Sequence, residues 1–504
     1  MGRRLEGVGK RLETVGRRLE TVGKRLEGVG SRLESMGSSL EGVGTGFGAG
    51  GVYFWAFAVR FMSQVSPVSP YKITFLTGTA LVVANMVGTG IFTSLGFQVM
   101  GIQSGFALLM LWLVGGLVAL CGAVCYAELA AAMPRSGGEY HYLSQIYHPA
   151  LGFLSGWVSA TVGFAAPTAL AALALGEYAK SVWPGLHPQW LSLAVVLVLA
   201  LVHGSSTRAG SRLQVVITAL KVVVLVVFIG AGLVVGEGQP IRFAPDAAGW
   251  RALLSPAFAV SLVYVSYAYS GWNAAVYVTG EIENPRRNLS RILLVGTGLV
   301  LLLYVGLNYV FLRSTPLAGL RGQLEVGFVA ATSLFGSLGG RLMGGIIAAL
   351  LVSTISSMVF AGPRIVQTMG EDIPALRFLA PRSRAGTPVR ALLLQTGITL
   401  AFILKPSFQG VLVYAGFVLN LFTFLTVFGL FVLRWRQPGL PRPYRAWGYP
   451  LTPLLFLGLS GWTLAFILRD KPLESLYGLG TLAVGVVVYL ITTRWAVVRP
   501  AAQG

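Results

Sequence analysis

Hydrophobic runs of roughly twenty residues, long enough at 1.5 Å per residue to cross about 30 Å of hydrocarbon, recur along most of this chain. Twelve can be counted, at about 73–97, 105–132, 151–178, 189–204, 213–236, 254–279, 290–312, 340–362, 388–404, 410–433, 452–468 and 475–494. The pattern predicts an all-α membrane protein of twelve transmembrane helices, of which the fourth, ninth and eleventh are short.

Two runs are not uniformly apolar. Gly88, Thr89 and Gly90 interrupt the first, and Ser266, Tyr267, Tyr269, Ser270, Gly271 and Asn273 interrupt the sixth. Taken singly, membrane glycines are close-packing sites. Polar groups and helix-weakening glycine at bilayer depth are tolerated where they line a cavity or a broken helix. Paired interruptions five spans apart point to an inverted-repeat carrier with its binding site near the midplane. At the first break the N–H groups of Thr89, Gly90 and Ile91 head a half-helix and suit a carboxylate. The carbonyls around Met86 and Val87, and around Tyr267, Ala268 and Ser270, suit an ammonium. A zwitterion is thereby expected to be held without a charged side chain.

Composition agrees with the pattern: the 504 residues are 55% hydrophobic and 11% charged, with a mean hydropathy of +0.72. A soluble globule needs more polar surface. The net charge of +20 raises a nucleic-acid reading, which the distribution of Lys and Arg removes. Leaving out residues 1–44 and Lys221, and placing both termini in the cytoplasm, 19 basic residues fall on the inner side and 9 on the outer. That is the positive-inside bias, and it predicts a multi-pass protein of the cell (plasma) membrane with no nucleic-acid partner. Cys121 and Cys125 sit one helical turn apart in the second span and read as packing residues. No metal site or cofactor is called for.

Residues 2–43 are six copies of a seven-residue unit, with leucines at 5, 12, 19, 26, 33 and 40. The spacing is that of a coiled-coil seam, but every unit contains glycine, at about 1 kcal/mol each against helix. Residues 1–61 therefore read as a low-complexity extension, disordered or dispensable, with Met62 a sensible start for a transporter domain over 62–500. The run Val52–Val59 is too brief to span.

Lys221 lies within the fifth span, where an ammonium costs about 2.5–3.5 kcal/mol. Function is the default reading, and snorkelling toward the inner interface is its rival. The eighth span offers Ser356 and Ser357 as hydroxyl partners, although buried serines commonly bond their own helix.

Five segments taken together resemble the amino acid-polyamine-organocation (APC) superfamily, in its L-type amino acid transporter-like and bacterial amino acid permease branch. They are VGTGIF at Val87–Phe92, CYAELAAAMPRSGGEYHYL at Cys125–Leu143, YSGWN at Tyr269–Asn273, EIENPRR at Glu281–Arg287 and RPYRAWGYP at Arg442–Pro450. The resemblance runs from about Tyr71 to Trp495. It implies a LeuT-like fold with a five-plus-five inverted repeat, repeat one at about 73–236 and repeat two at about 254–433, discontinuous first and sixth helices, and two further helices at about 452–494.

The same resemblance implies roles. Tyr267 stands where related carriers place an aromatic gate, commonly Phe, and Asn273 matches a substrate contact. Glu139 and Tyr140 belong to the segment that caps the inner mouth, and Glu281 to an inner gate of ion pairs. Gly280 departs from the acidic residue common before Glu281. Lys221 falls where sodium-coupled relatives hold their ion, so with Ser356 and Ser357 it would form a cation or coupling site and make transport sodium-independent, with protons as a further partner.

The expected function is secondary active transport of a neutral amino acid by proton symport or exchange. A polyamine or organic-cation carrier of the same fold is the alternative, disfavoured because no acidic residue is evident beside either break. A membrane enzyme would need a catalytic constellation beyond a lone lysine, and a tail-mediated membrane anchor is the third rival. Substrate identity and oligomeric state are left open by the sequence.

Overall fold

The computed structural model describes residues 72–498, apart from 206, 236–237, 384–385 and 405–407. The heptad extension, the Val52–Val59 run and Met62 lie outside the described residues.

Helices begin where the sequence supplies caps. Thr74 accepts from Thr77 N at 3.3 Å to start α1, Phe75–Met86, and after a break α2 runs Thr89–Gly101. Ser104 caps α3, Gly105–Ala132. The segment after α3 carries a short helix, α4, Glu139–Ile146, which starts directly after Gly138. The third span, Pro149–Val182, consists of α5, Pro149–Val158, a π turn at Ser159–Gly163, and α6, Ala165–Val182. Then come α7, Pro188–Ser205, α8, Thr207–Val235, and the short α9, Ala247–Leu253.

Ser255 and Pro256 start α10, Pro256–Tyr269, which passes through Ser270 and Gly271 into a 3-10 segment, Trp272–Glu281. Pro285 starts α11, Pro285–Ser314, and α12 is a single turn, Leu317–Leu320. The eighth run belongs to a longer helix than expected, α13, Val326–Asp372, kinked where Gly336 adopts φ 72°. A 3-10 turn, Pro374–Leu379, leads to α14, Val389–Leu404, followed by α15, Phe408–Arg436, α16, Leu451–Asp470, and α17, Pro472–Val498.

Among the described residues ten helices are long and apolar enough to cross a membrane, or eleven when Ala247–Leu253 and Pro256–Glu281, bent by 63°, count as one span. The count of twelve is not reached because α14 has 16 residues. At 1.5 Å per residue that is about 24 Å, short of the hydrocarbon thickness.

The interrupted first span is the centre of the bundle. Its apolar window is 89% buried, against 22% for the last span. α1 packs on α11 and α8, and α2 on α10. The chain entering α1 pairs with the chain leaving the sixth span: Ile73 N donates to Glu281 O at 2.7 Å, and Glu283 N to Ile73 O at 2.9 Å. Both broken helices are thus joined at the arginine-rich end of the bundle.

Candidate substrate and cation site

The two interruptions meet in space. α1 ends at Val87 and Gly88, whose φ and ψ of −130° and −147° leave the helical region. α10 ends at Ser270 and at Gly271, whose φ of +94° is the left-handed conformation that glycine adopts without strain. A Cβ on Gly271 would come within 3.1 Å of Asn85, and one on Gly90 within 2.4 Å of the Ala268 Cα. The half-helices touch through their backbones, and only glycine permits this.

Broken helices expose carbonyls that must find donors away from water. Lys221 Nζ, wholly buried, donates to Val87 O at 2.6 Å and to Thr354 Oγ1 at 2.9 Å. Thr354 Oγ1 in turn donates to the same Val87 carbonyl at 2.7 Å. Tyr304 Oη on α11 lies 2.5 Å from Met86 O and 3.1 Å from Ala268 O, spanning both breaks. The carbonyls expected to hold a substrate ammonium, those of Met86, Val87 and Ala268, are therefore engaged by protein donors. Thr89, Gly90 and Ile91 head α2 as expected, with Gly90 packed against Ala268.

Ser356 and Ser357 do not meet the lysine. Ser356 Oγ is 2.7 Å from His203 Nε2 on α7, and Ser357 donates to Thr354 O at 2.8 Å. The partner is Thr354, two positions before Ser356 and therefore on a different face of the helix. Tyr304 was also missed, although a tyrosine and Asn308 one turn apart in an apolar run are a readable signal.

A cavity of about 100 Å³ lies beside the second break. Tyr267, Ser270 and Asn273 line it, with Asn85 from α1, Ser159 from the π turn, Phe164 directly after it, and Asn420 from α15. π turns widen a helix locally and recur at functional sites.

Beneath the cavity sits Glu139, 1% exposed. Its Oε1 accepts from Tyr126 Oη at 2.5 Å, Asn273 Nδ2 at 3.0 Å and Thr423 Oγ1 at 3.2 Å. Burial pushes this carboxyl above the ordinary carboxylate range, and those hydrogen bonds oppose the shift. The expectation that no acid lies near a break is therefore corrected: Glu139 reaches the cavity through Asn273. Sequence reading missed it because Glu139 and Asn273 belong to segments 134 positions apart.

At the arginine-rich end, Glu281 pairs with Arg364 at 3.1 Å. Arg135 forms an ion pair with Asp372, which also accepts from Tyr140 Oη at 3.0 Å. Lys72 Nζ and Ser136 Oγ take up the carbonyl and N–H of Gly280. Glu128, wholly buried, receives Arg434 through Nε at 2.9 Å and Nη2 at 2.6 Å and the Ala446 N–H at 2.6 Å, with Arg442 Nε 3.3 Å away. That clamp fixes the Arg442–Pro450 segment against α3.

The sequence profile of amino acid permeases matches residues 73–488. The chain is 30% identical over 449 residues to large neutral amino acids transporter small subunit 2 of Homo sapiens, covering 84% of this chain and 81% of that protein. It is 29% identical over 450 residues to Asc-type amino acid transporter 1 of Mus musculus, with the same coverages. It is 28% identical over 433 residues to b(0,+)-type amino acid transporter 1 of Mus musculus, covering 83% and 87%. These relatives are transporters, which removes the enzyme reading. With two broken helices in contact, a buried lysine on the carbonyl of the first break and a match across nearly the whole membrane portion, the chain belongs to the amino acid permeases of the APC superfamily, in their L-type-transporter-like branch.

Proposed function

We propose that this permease carries neutral amino acids by alternating access, independently of sodium, through proton symport or amino acid exchange. One observation supports the reading above others: Lys221 Nζ stands 2.6 Å from the carbonyl of the first break and 2.9 Å from Thr354. A built-in ammonium there supplies the positive charge that a bound cation would bring, and broken-helix carbonyls are cation ligands by their dipole. The names of two relatives, as neutral and Asc-type amino acid transporters, support the substrate class.

In this reading the twelve expected spans form a five-plus-five inverted repeat with two further helices, α14 supplying the ninth span, and the arginine-rich end faces the cytoplasm of the plasma membrane. Glu281–Arg364 and Arg135–Asp372–Tyr140 close the inner side, and Tyr267 covers the substrate. The substrate's carboxylate binds at Thr89, Gly90 and Ile91, and its ammonium reaches the break carbonyls when Tyr304 and the α10 end move apart. Glu139 beside the cavity favours the organic-cation carrier as the second reading. One relative is named a small subunit. For this chain a disulfide to another subunit lacks an outer-loop cysteine, because both cysteines of the sequence lie in α3.

Uptake of labelled amino acids into proteoliposomes, with and without sodium, a proton gradient or internal amino acid, tests the proposal. Sodium-independent uptake or exchange of neutral amino acids is expected. Uptake that requires sodium, or none under any condition, overturns it.

A further inference from the structure

The turn between α15 and α16 carries more positive charge than the protein itself uses. It holds Arg434, Arg436, Arg442 and Arg445, and no Asp or Glu falls anywhere between Asp372 and Asp470. Glu128 takes Arg434, and Arg442 spends both terminal nitrogens on the carbonyls of Leu433, Gln437, Pro438 and Leu440. Two arginines are left over. Arg436 is exposed and gives one nitrogen to Ile146 O at 3.0 Å. Arg445 is exposed and makes no ion pair or hydrogen bond among the described residues.

The same corner is apolar where it faces away from the bundle. Phe428 and Trp435, seven positions apart and so on one stripe of α15, are both exposed, the tryptophan at 81%. Phe428 lies within the span Phe408–Arg436, so this stripe faces hydrocarbon. α16 opens with Leu451, Leu454 and Leu455, also exposed. The two apolar surfaces meet at Tyr449, whose ring centroid is 5.2 Å from that of Phe431 and carries the Arg434 guanidinium at 3.7 Å. Glu128 accepts from both Arg434 and the Ala446 N–H, which pins Arg445 and Trp447, the latter 78% exposed, beside this junction. An indole has an apolar body and one polar N–H, and it settles at the headgroup layer.

We propose that this corner is a binding site for an anionic phospholipid, its phosphate met by the guanidinium groups of Arg445 and Arg436 and its chains by the Phe428–Trp435 stripe and the first leucines of α16. Basic residues clustered just beyond a membrane helix attract anionic headgroups, and guanidinium donors match phosphate oxygens. A phosphatidylcholine headgroup brings its own cation and gains less from the surplus charge. Free phosphate or an acidic soluble protein matches the arginines but leaves the apolar stripes uncovered, whereas an anionic lipid matches both halves.

Thermal unfolding of the purified full chain in a neutral detergent, with dioleoylphosphatidylglycerol or dioleoylphosphatidylcholine added, makes the test and does not depend on which solute the protein carries. A ligand that binds the folded state stabilises it, so phosphatidylglycerol is expected to raise the unfolding temperature above that reached with equal phosphatidylcholine. Each surplus arginine is expected to contribute about fivefold in affinity. Arg445→Gln and Arg436→Gln should therefore each raise the phosphatidylglycerol concentration at half-shift by about that factor, and the double variant by about twenty-fivefold. Arg445→Lys, which keeps the charge, is expected to retain most of the effect. The shift is read as the difference between the two lipids within one preparation, so a variant less stable in both still reports on binding. Equal shifts by the two lipids, or half-shift concentrations unmoved in both Gln variants, overturn the inference. So does a shift reproduced by glycerol phosphate or soluble polyglutamate, which carry the charge without the chains.

Discussion

Lys221 Nζ lies 2.6 Å from the carbonyl oxygen of Val87, at the point where the first span stops being a helix. The bond joins the one basic side chain within the apolar part of α8 to the backbone whose breakage creates the site. Hydrogen bonds to charged groups contribute about 1.5–3 kcal/mol, or roughly tenfold to a hundredfold in a rate or equilibrium. Lys221→Met is expected to lower initial uptake rates by at least about tenfold. Thr354→Val, which leaves the ammonium in place, is expected to lower them less. Uptake kinetics of both variants at matched protein content check the order.

Tyr304 Oη serves carbonyls of both breaks, Met86 O and Ala268 O. Tyr304→Phe removes the hydroxyl shared by both carbonyls; Met86 O keeps the Gly88 N–H at 2.8 Å, and Ala268 O loses its side-chain donor. Unsatisfied buried acceptors cost about 1–3 kcal/mol, so reduced thermal stability in detergent is expected. A substrate ammonium then meets no tyrosine hydroxyl competing for those carbonyls, so the ratio of substrate affinities between Tyr304→Phe and wild type should exceed one. Thermal unfolding with and without amino acid measures both effects.

Gly90 has no room for a methyl group, since its Cβ would stand 2.4 Å from Ala268 Cα. Overpacking of this kind costs about 1–3 kcal/mol. Because the neighbour is backbone, Gly90→Ala is expected to hold the two half-helices apart and to cut transport more severely than stability. Gly298, with no atom near its Cβ position, provides the control substitution to alanine, expected to change neither.

The Arg364–Glu281 pair buries its arginine almost completely, at 3% exposure. Removing one partner of a buried pair costs about 3–5 kcal/mol, and replacing both costs less. Arg364→Met and Glu281→Gln are each expected to impair transport and stability, with the double variant milder than the sum. A double-mutant cycle on uptake rates and unfolding temperatures reads the coupling; additivity would separate the pair from closure of this end.

His141, in the short helix between the second and third spans, is held down at about 4 from its ordinary 6.5, first by burial and then by the nearby Arg135 charge. The unfolded chain then binds more protons than the folded one between those values. Its contribution to stability is full above pH 6.5 and is lost as pH falls towards 4. His141→Gln is expected to flatten that part of the pH–stability curve, as followed by thermal unfolding across the window.

Much of the architecture is legible in the sequence. Span length is set by bilayer thickness, and polar residues at depth announce a cavity, so the interruptions at Gly88–Gly90 and Ser270–Gly271 pointed to each other. Asn273, Tyr267 and Ser270 do line the cavity. The ninth span was harder, because an apolar run of 16 residues satisfies hydropathy without satisfying length.

Partner choice was not legible. Along α13 each residue turns about 100°, so Ser356 faces His203 while Thr354, two residues earlier, faces Lys221. Ser357 lies nearer the right face, but its hydroxyl is used by its own helix. The sequence showed hydroxyls on the eighth span, and helical phase decided which one the ammonium meets.

The amino-acid sequence by itself determined that the chain crosses a membrane many times, which spans are broken, and that a lysine is buried in one of them. These follow from local hydropathy, glycine and charge. Only the tertiary structure decided that Tyr304 and Lys221 meet the break carbonyls and that Glu139 accepts from Asn273. Such contacts join residues far apart in the chain, and the need to pair every buried donor and acceptor selects them only once the helices have packed.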